Sequence, residues 1–316
     1  MRAGAGKSAR HALQGIACIV AAVLFFAALD TTTKFVSVMV PVVMLTWVRY
    51  LFQTLITAAA LLPRRGRALL RTRRPLMQFL RGLLLLISSV TAFFSLRYMP
   101  VGEFTAIAMI TPLVLTVVAA WSLHERVSWL RWTCVLGGFT GSMVVIRPGT
   151  EVFHWTLLLP LLIVASNTSY QVLTSRLVQT EDPGTLHFYS GLVGLLLATA
   201  ALPFAWQSLS WHAWGLLLVI SVFSTLGHFL LILAYGRAPV AVLTPYLYLQ
   251  IGFAAIGGWL VFSYLPDAVA MAGIAIVTVS GALGTWLTGR EARSQQGAVA
   301  SADSARLKRA PGPTQT

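Results

Sequence analysis

ALQGIACIVAAVLFFAALDTTTKFV, residues 12–36, decides how this chain must fold. From Ala12 to Leu29 the run is almost wholly apolar, and Asp30, Thr31, Thr32, Thr33 and Lys34 then interrupt it. About 20 such residues are needed for a helix to cross the hydrocarbon core of a bilayer. Comparable runs recur at residues 39–62, 77–98, 102–122, 128–147, 155–177, 184–205, 212–235, 240–262 and 267–288. None alternates in polarity as a barrel strand does. Helices satisfy their own backbone groups where water is absent. The expectation is an all-α membrane protein with ten transmembrane helices.

Composition agrees. The chain has 316 residues, is 57% hydrophobic and only 10% charged, with a mean hydropathy of +0.78. A soluble domain carries about 25% charged residues. The net charge of +14 invites a nucleic-acid reading, but its distribution argues against one. If the N-terminus is cytoplasmic, Arg2, Lys7, Arg10, the six arginines between Arg64 and Arg74, Arg81, Arg126, Arg131, Arg176, Arg237 and the basic residues from Arg290 onward all fall on the cytoplasmic side. Arg97 and Arg147 alone fall on the other. That asymmetry predicts both termini in the cytoplasm of a multi-pass inner-membrane protein. The two cysteines, Cys18 and Cys134, sit in apolar runs with no metal-ligand spacing. The apolar run after the basic N-terminus has no small-residue cleavage site, so it is read as a retained first helix.

The chain repeats itself. Asp30-Thr31 and Lys34 match Asn167-Thr168 and Gln171, 137 residues later. Met99-Pro100-Val101 and Thr105 match Ala238-Pro239-Val240 and Thr244, 139 residues later. Five spans per copy is an odd number, so the second copy is expected upside down relative to the first. Two inverted five-helix repeats are the pattern of secondary transporters, with the solute site near the midplane between the repeats. The expected division is a cytoplasmic segment 1–11, a first repeat 12–147, a second repeat 155–288 and a disordered cytoplasmic tail 289–316.

Met99-Pro100, Ala106, Thr111-Pro112, Leu123-His124-Glu125-Arg126, Gly137-Gly138 and Gly141, with Lys34 and Arg49, carry a further signal. Together they resemble the EamA family of the drug/metabolite transporter (DMT) superfamily, over about residues 12–288 and most clearly in the first half. The second half departs from the pattern, because the position of Glu125 falls at Ser263 or Tyr264. The resemblance implies a ten-helix fold, a central cavity lined mainly by spans 1, 3, 4, 6, 8 and 9, and transport of small metabolites.

Several polar residues stand out inside spans. Asp30 is the one acidic residue well inside a span, where a charge costs about 2.5–3.5 kcal/mol on insertion scales. Lys34 lies one helical turn on, and Arg49 follows in the second span at a similar depth. Two readings stand: a salt-bridge cluster fixing spans 1 and 2, or Asp30 binding a proton or an ammonium while Lys34 or Arg49 faces a carboxylate. Asn167, Tyr170 and Gln171 occupy the matching face of span 6, for a polar solute or for interhelical hydrogen bonds. Thr105, Thr111 and Pro112 in span 4, and Thr244, Pro245, Tyr246, Tyr248 and Gln250 in span 9, surround prolines that free a backbone carbonyl, either as a kink satisfied by the threonines or as a site that binds solute or flexes, with Tyr246, Tyr248 and Gln250 expected to line the cavity. His228 could titrate near neutral pH or simply pack, and the same holds for His187. Glu103 reads as a helix N-terminal carboxylate, and Glu125 with Arg126 and Arg131 as a loop ion pair. Gly137 and Gly141, and Gly281 and Gly284, predict close helix contacts, between the halves or in a homodimer.

Neither an H-E-x-x-H pair nor a phosphate-cradling glycine loop with its lysine is present. The expectation is therefore no enzyme, no cofactor, no bound metal and no nucleic-acid partner. The expected function is a secondary carrier that exports a small polar metabolite, such as an amino acid or derivative, by alternating access within membrane lipid. The alternative is a membrane-embedded enzyme or lipid-handling protein.

Overall fold

The computed structural model describes residues 2–122, 129–147, 155–284 and 286–287. Among these, every regular element is helical. The first half holds α1 (Arg2–Val36), α2 (Val42–Arg65), α3 (Pro75–Tyr98), α4 (Val101–Ala108), α5 (Thr111–Ser122) and α6 (Trp129–Ile146). The second holds α7 (Leu159–Leu177), α8 (Pro183–Ala201), α9 (Trp211–Arg237), α10 (Val240–Leu247), α11 (Leu249–Phe262) and α12 (Ala268–Gly284).

Of the ten spans the sequence predicts, six are long and apolar enough to cross a membrane among the described residues. They comprise Leu13–Val36, Val42–Leu70, Pro75–Tyr98, Pro183–Phe204, Trp211–Arg237 and Val242–Phe262. Val101–Leu115, Trp132–Ile146 and Ala268–Gly284 are shorter apolar helices. α7 has 19 residues, about 28 Å at 1.5 Å per residue. Its run Ser166-Asn167-Thr168-Ser169 lowers its hydropathy. The tail 289–316, Glu125 and Arg126 lie outside the described residues.

Local chemistry sets the helix boundaries. Pro41, Pro100 and Pro239 stand immediately before α2, α4 and α10, each in extended geometry with ψ between 142° and 147°. A proline there loses nothing, because the first N–H groups of a helix have no intrahelical acceptor. Asp182 caps α8 through the Gly184 N–H at 2.8 Å, and Ser210 caps α9 through the Ala213 N–H at 3.2 Å. α4 stops after eight residues, two positions before Thr111-Pro112, whose proline cannot donate to the helical ladder. α10 also stops after eight residues, at Tyr248.

Packing places the polar faces inside. α1 lies along α9 and crosses α11, while α3 lies along α7 and α7 also meets α5. α2 pairs with α8, and α4 with α11. Gly141 and Gly273 bring α6 and α12 together: a Cβ on Gly141 would sit 2.9 Å from the Gly273 carbonyl, and one on Gly273 would sit 3.1 Å from the Val145 nitrogen. These glycine faces are occupied inside the chain. Large apolar side chains such as Leu55, Phe79, Leu136, Leu196, Leu218 and Leu260 point outward. Buried polar residues and exposed leucines together describe a surface solvated by lipid.

Candidate functional site

Where α1, α2, α3, α4, α5, α7, α9 and α11 converge they enclose a cavity of about 130 Å³. Its wall includes Asp30 and Thr33 of α1, Arg49 of α2, Ser88 and Ser89 of α3, Thr111 and Pro112 of α5, Asn167 and Gln171 of α7, His228 of α9 and Gln250 of α11. Phe26, Leu29, Leu85, Phe104 and Leu231 supply apolar surface between them.

Asp30 is 9% exposed. Its carboxylate accepts one hydrogen bond, from Gln250 Nε2 at 3.1 Å. Among the described residues, no lysine or arginine lies within the 4.0 Å of an ion pair with it. Arg49 lines the same cavity but donates to Ser89 Oγ and stacks on the Tyr50 ring at 4.6 Å. Its buried Nε has no hydrogen-bond partner. A carboxylate and a guanidinium thus share a buried chamber without pairing. The salt-bridge cluster that spans 1 and 2 could have formed is absent.

The remaining wall is neutral. Gln171 accepts from Tyr235 Oη, and Ser88 exchanges a 2.7 Å bond with Ser166. His228 Nδ1 lies 2.8 Å from the Ser224 carbonyl. A carbonyl only accepts, so Nδ1 carries the proton and a neutral His228 keeps Nε2 as an acceptor. Its ring packs edge-on against Phe26 at 4.8 Å.

The other predicted residues lie elsewhere. Lys34 donates to the Leu96 and Met99 carbonyls at 3.1 and 2.9 Å, which closes the C-terminal end of α3 in a favourable charge–dipole arrangement. Thr105 and Thr244 each return their hydroxyl to a carbonyl four residues back, at 2.8 Å. Tyr246 packs into the apolar cluster around Tyr170 and Leu243. Tyr248 is buried against Val277, with its hydroxyl unpartnered. Tyr170 accepts from Arg81 Nη2 at 3.1 Å.

The sequence groups Arg81 with the arginines that precede it, and the structure adds that it has no exposed surface. It lies in the second turn of α3, deep enough to reach α7 and α8. Ser88 and Ser89 were missed; two adjacent hydroxyls inside an apolar run were the available signal. On the opposite end of the bundle, Glu103 accepts from Tyr264 Oη at 2.6 Å rather than serving only as a helix-end carboxylate. Arg147 bonds Asp267 there and, with the Ala270 N–H, holds its carboxyl below the usual carboxylate range.

Three kinds of relative match. Residues 13–147 match the model of the EamA-like transporter family. An S-adenosylmethionine uptake transporter of Rickettsia felis is 27% identical over 84% of this chain and 90% of its own length. A riboflavin transporter of Vibrio cholerae is 28% identical over 90% and 97%, and a pseudopaline exporter of Pseudomonas aeruginosa is 25% identical over 84% and 94%. A solved crystal structure, 17% identical, shares the fold with a TM-score of 0.65 over 88% of this chain and 98% of that one. Residues 13–147 thus carry the pattern of the EamA-like transporter family, and most of the chain is similar to proteins named as transporters.

Proposed function

We propose that this protein is a secondary carrier of the inner membrane for a small zwitterionic metabolite, an amino acid or a derivative of one. The observation that carries this reading is the unpaired couple of Asp30 and Arg49 in one cavity. Opposite charges left apart in a low-dielectric interior are unfavourable unless something compensates them. A solute with an ammonium and a carboxylate compensates both at once, with Asp30 taking the cation and Arg49 Nε the anion. Gln250, Asn167 and the His228 Nε2 supply neutral hydrogen bonds around it.

The ten-crossing, two-repeat architecture is part of this proposal, as are the cytoplasmic termini. Supporting it, Pro100 and Pro239 have φ, ψ of −62°, 147° and −58°, 146°, and each opens an eight-residue helix. Exchange of the halves also maps the packing onto itself. The α1–α9 contact corresponds to α7–α3, α1–α11 to α7–α5, α2–α9 to α8–α3 and α4–α11 to α10–α5, while α2–α8 corresponds to itself. A bundle of two equivalent halves around a central site can open to either side by rocking. Export with proton coupling through Asp30 is the mode we propose. Relatives named for uptake and for export share this fold, so the assay must load each side in turn.

The test is counterflow in proteoliposomes with labelled amino acids, S-adenosylmethionine and riboflavin as probes, loaded inside or outside. Exchange of at least one zwitterion, about tenfold weaker in Asp30→Asn, is expected. Absence of exchange for the whole panel in both orientations sinks the carrier reading.

A further inference from the structure

Behind the cavity, toward the arginine-rich end of the bundle, lies a second polar region that the cavity does not include. α3 enters it with Gln78 and Arg81 less than one turn apart, both without exposed surface. Gly82 permits this. A Cβ there would come within 2.6 Å of Val193 Cβ, so α3 and α8 meet at van der Waals contact only because the position is glycine. Arg81 then reaches across both neighbours. Nε donates to Thr174 Oγ1 at 2.7 Å, Nη1 to the Leu186 carbonyl and to Ser190 Oγ at 2.6 Å each, and Nη2 to Tyr170 Oη. All four acceptors are neutral. A guanidinium has five N–H donors, so the charge is hydrogen-bonded but not neutralised.

The atoms around it are unusual for a sealed core. Gln78 Oε1 and Nε2, Gln53 Oε1 and His187 Nε2 are all buried without a hydrogen-bond partner. Gln53 donates to the His187 carbonyl at 3.0 Å, and His187 adjoins Leu186, whose carbonyl holds Arg81. A buried polar atom left without a partner is costly. Polar groups inside a membrane protein that lack partners normally face a wetted path. This region also adjoins the cavity: Tyr170 precedes cavity-lining Gln171, and its ring packs 6.3 Å from His228.

We infer that Gln53, Gln78, Arg81 and His187 line the second half of the solute path, closed in this conformation, and that Arg81 is the station that takes the solute's carboxylate there. The inference rests on the carrier reading. In the closed state the neutral hydroxyls of Thr174, Ser190 and Tyr170 hold the guanidinium in place. When α3 parts from α7 and α8 those bonds break, and the freed N–H groups meet an anion entering or leaving. A carboxylate then replaces the neutral acceptors with a charge-assisted, two-point contact.

Gln78→Cys in the full chain, with Cys18 and Cys134 replaced by serine, tests this in liposomes. Two thiosulfonate reagents are compared, one carrying a sulfonate and one a trimethylammonium, each normalised to its rate with a free thiol. The expected result is reaction with both, about tenfold faster for the anion because of the adjacent guanidinium. Arg81→Lys keeps that preference, and Arg81→Gln brings the normalised ratio to about one. No reaction with either reagent, or equal normalised rates with Arg81 intact, overturns the inference. Either result alongside normal counterflow leaves the carrier reading standing. Anion-selective labelling without counterflow of any probe removes the carrier reading instead. Arg81→Lys and the intact chain suffice for the decision if Arg81→Gln does not fold.

Discussion

Asp30 with Gln250, across α1 and α11, and Asn167 with Thr111, across α7 and α5, occupy corresponding places in the two halves. At the spacing that relates Pro100 to Pro239, Gln250 matches Thr111. All four residues line the cavity. The first pair is charged and bonded at 3.1 Å, whereas in the second Thr111 Oγ1 has no partner. At these positions, which the sequence repeat pairs, the chemistry differs. Inside the cavity the first half contributes the charges, Asp30 and Arg49, and the second contributes neutral groups such as Asn167, Gln171 and Gln250. Asp30 finds Gln250, and Arg81 finds Tyr170, Thr174 and Ser190. Lys34 and Arg49 instead find their partners within their own half.

This contrast separates charges that join the halves from charges that serve one half. Arg81→Leu is expected to have the largest effect. It removes four hydrogen bonds and strands buried hydroxyls, a loss of about 3 kcal/mol. Thermal unfolding in detergent micelles should show it as a markedly lower Tm. A variant as stable as the parent would mean that Arg81 does not tie the halves. Asp30→Asn comes next. It keeps the Gln250 contact and removes the charge, so exchange of a zwitterion should fall about tenfold, equivalent to about 1.4 kcal/mol, with Tm little changed. It should also abolish any proton dependence of transport; unchanged pH dependence removes Asp30 from coupling. The combined Asp30→Asn and Asn167→Asp exchange should not restore transport, because Thr111 offers a shorter side chain than Gln250. Restoration would show the halves to be chemically interchangeable.

Lys34→Met is expected to cost about 1 kcal/mol through loss of its bonds to the end of α3, with the KM for transport unchanged. A raised KM would put Lys34 in the solute path. The smallest effect belongs to Asp267. Its carboxyl is held below the ordinary value of 3.8. The stabilisation is therefore fully present above that value and lost as pH falls through the lower folded one. Asp267→Asn should lower stability slightly at neutral pH and flatten its acid limb, so that variant and parent converge in acid. An unaltered acid limb would show that the pair contributes nothing measurable.

Six of the spans are legible in the sequence because apolar length acts locally, whereas the breaks that divide 102–122 and 240–262 into two helices each are marked there only by their prolines. The polar residues that share the cavity were legible for a related reason: Asp30, Arg49, Asn167, Gln171, His228 and Gln250 are conspicuous in apolar surroundings. Sequence alone does not say which neighbour a polar side chain meets. Lys34 turns to the carbonyls of α3, and Tyr248 turns toward α12, because helix rotation is set by packing between distant segments. The burial of Arg81 is not legible in sequence because it follows from how closely α3 approaches α8, which Gly82 governs. Ser89 was hidden because a serine can return its hydroxyl to its own helix, as it does to the Leu85 carbonyl at 2.6 Å, while still receiving Arg49.

The contact of Gly141 with Gly273 has a mechanical meaning. The side chains of Val145, Ile276 and Val277 fill the notches that the two glycines leave, so the helices are keyed together at their closest point. A methyl group added at Gly141 or Gly273 would meet the opposite carbonyl oxygen at 2.9 or 2.7 Å and act as a wedge between them.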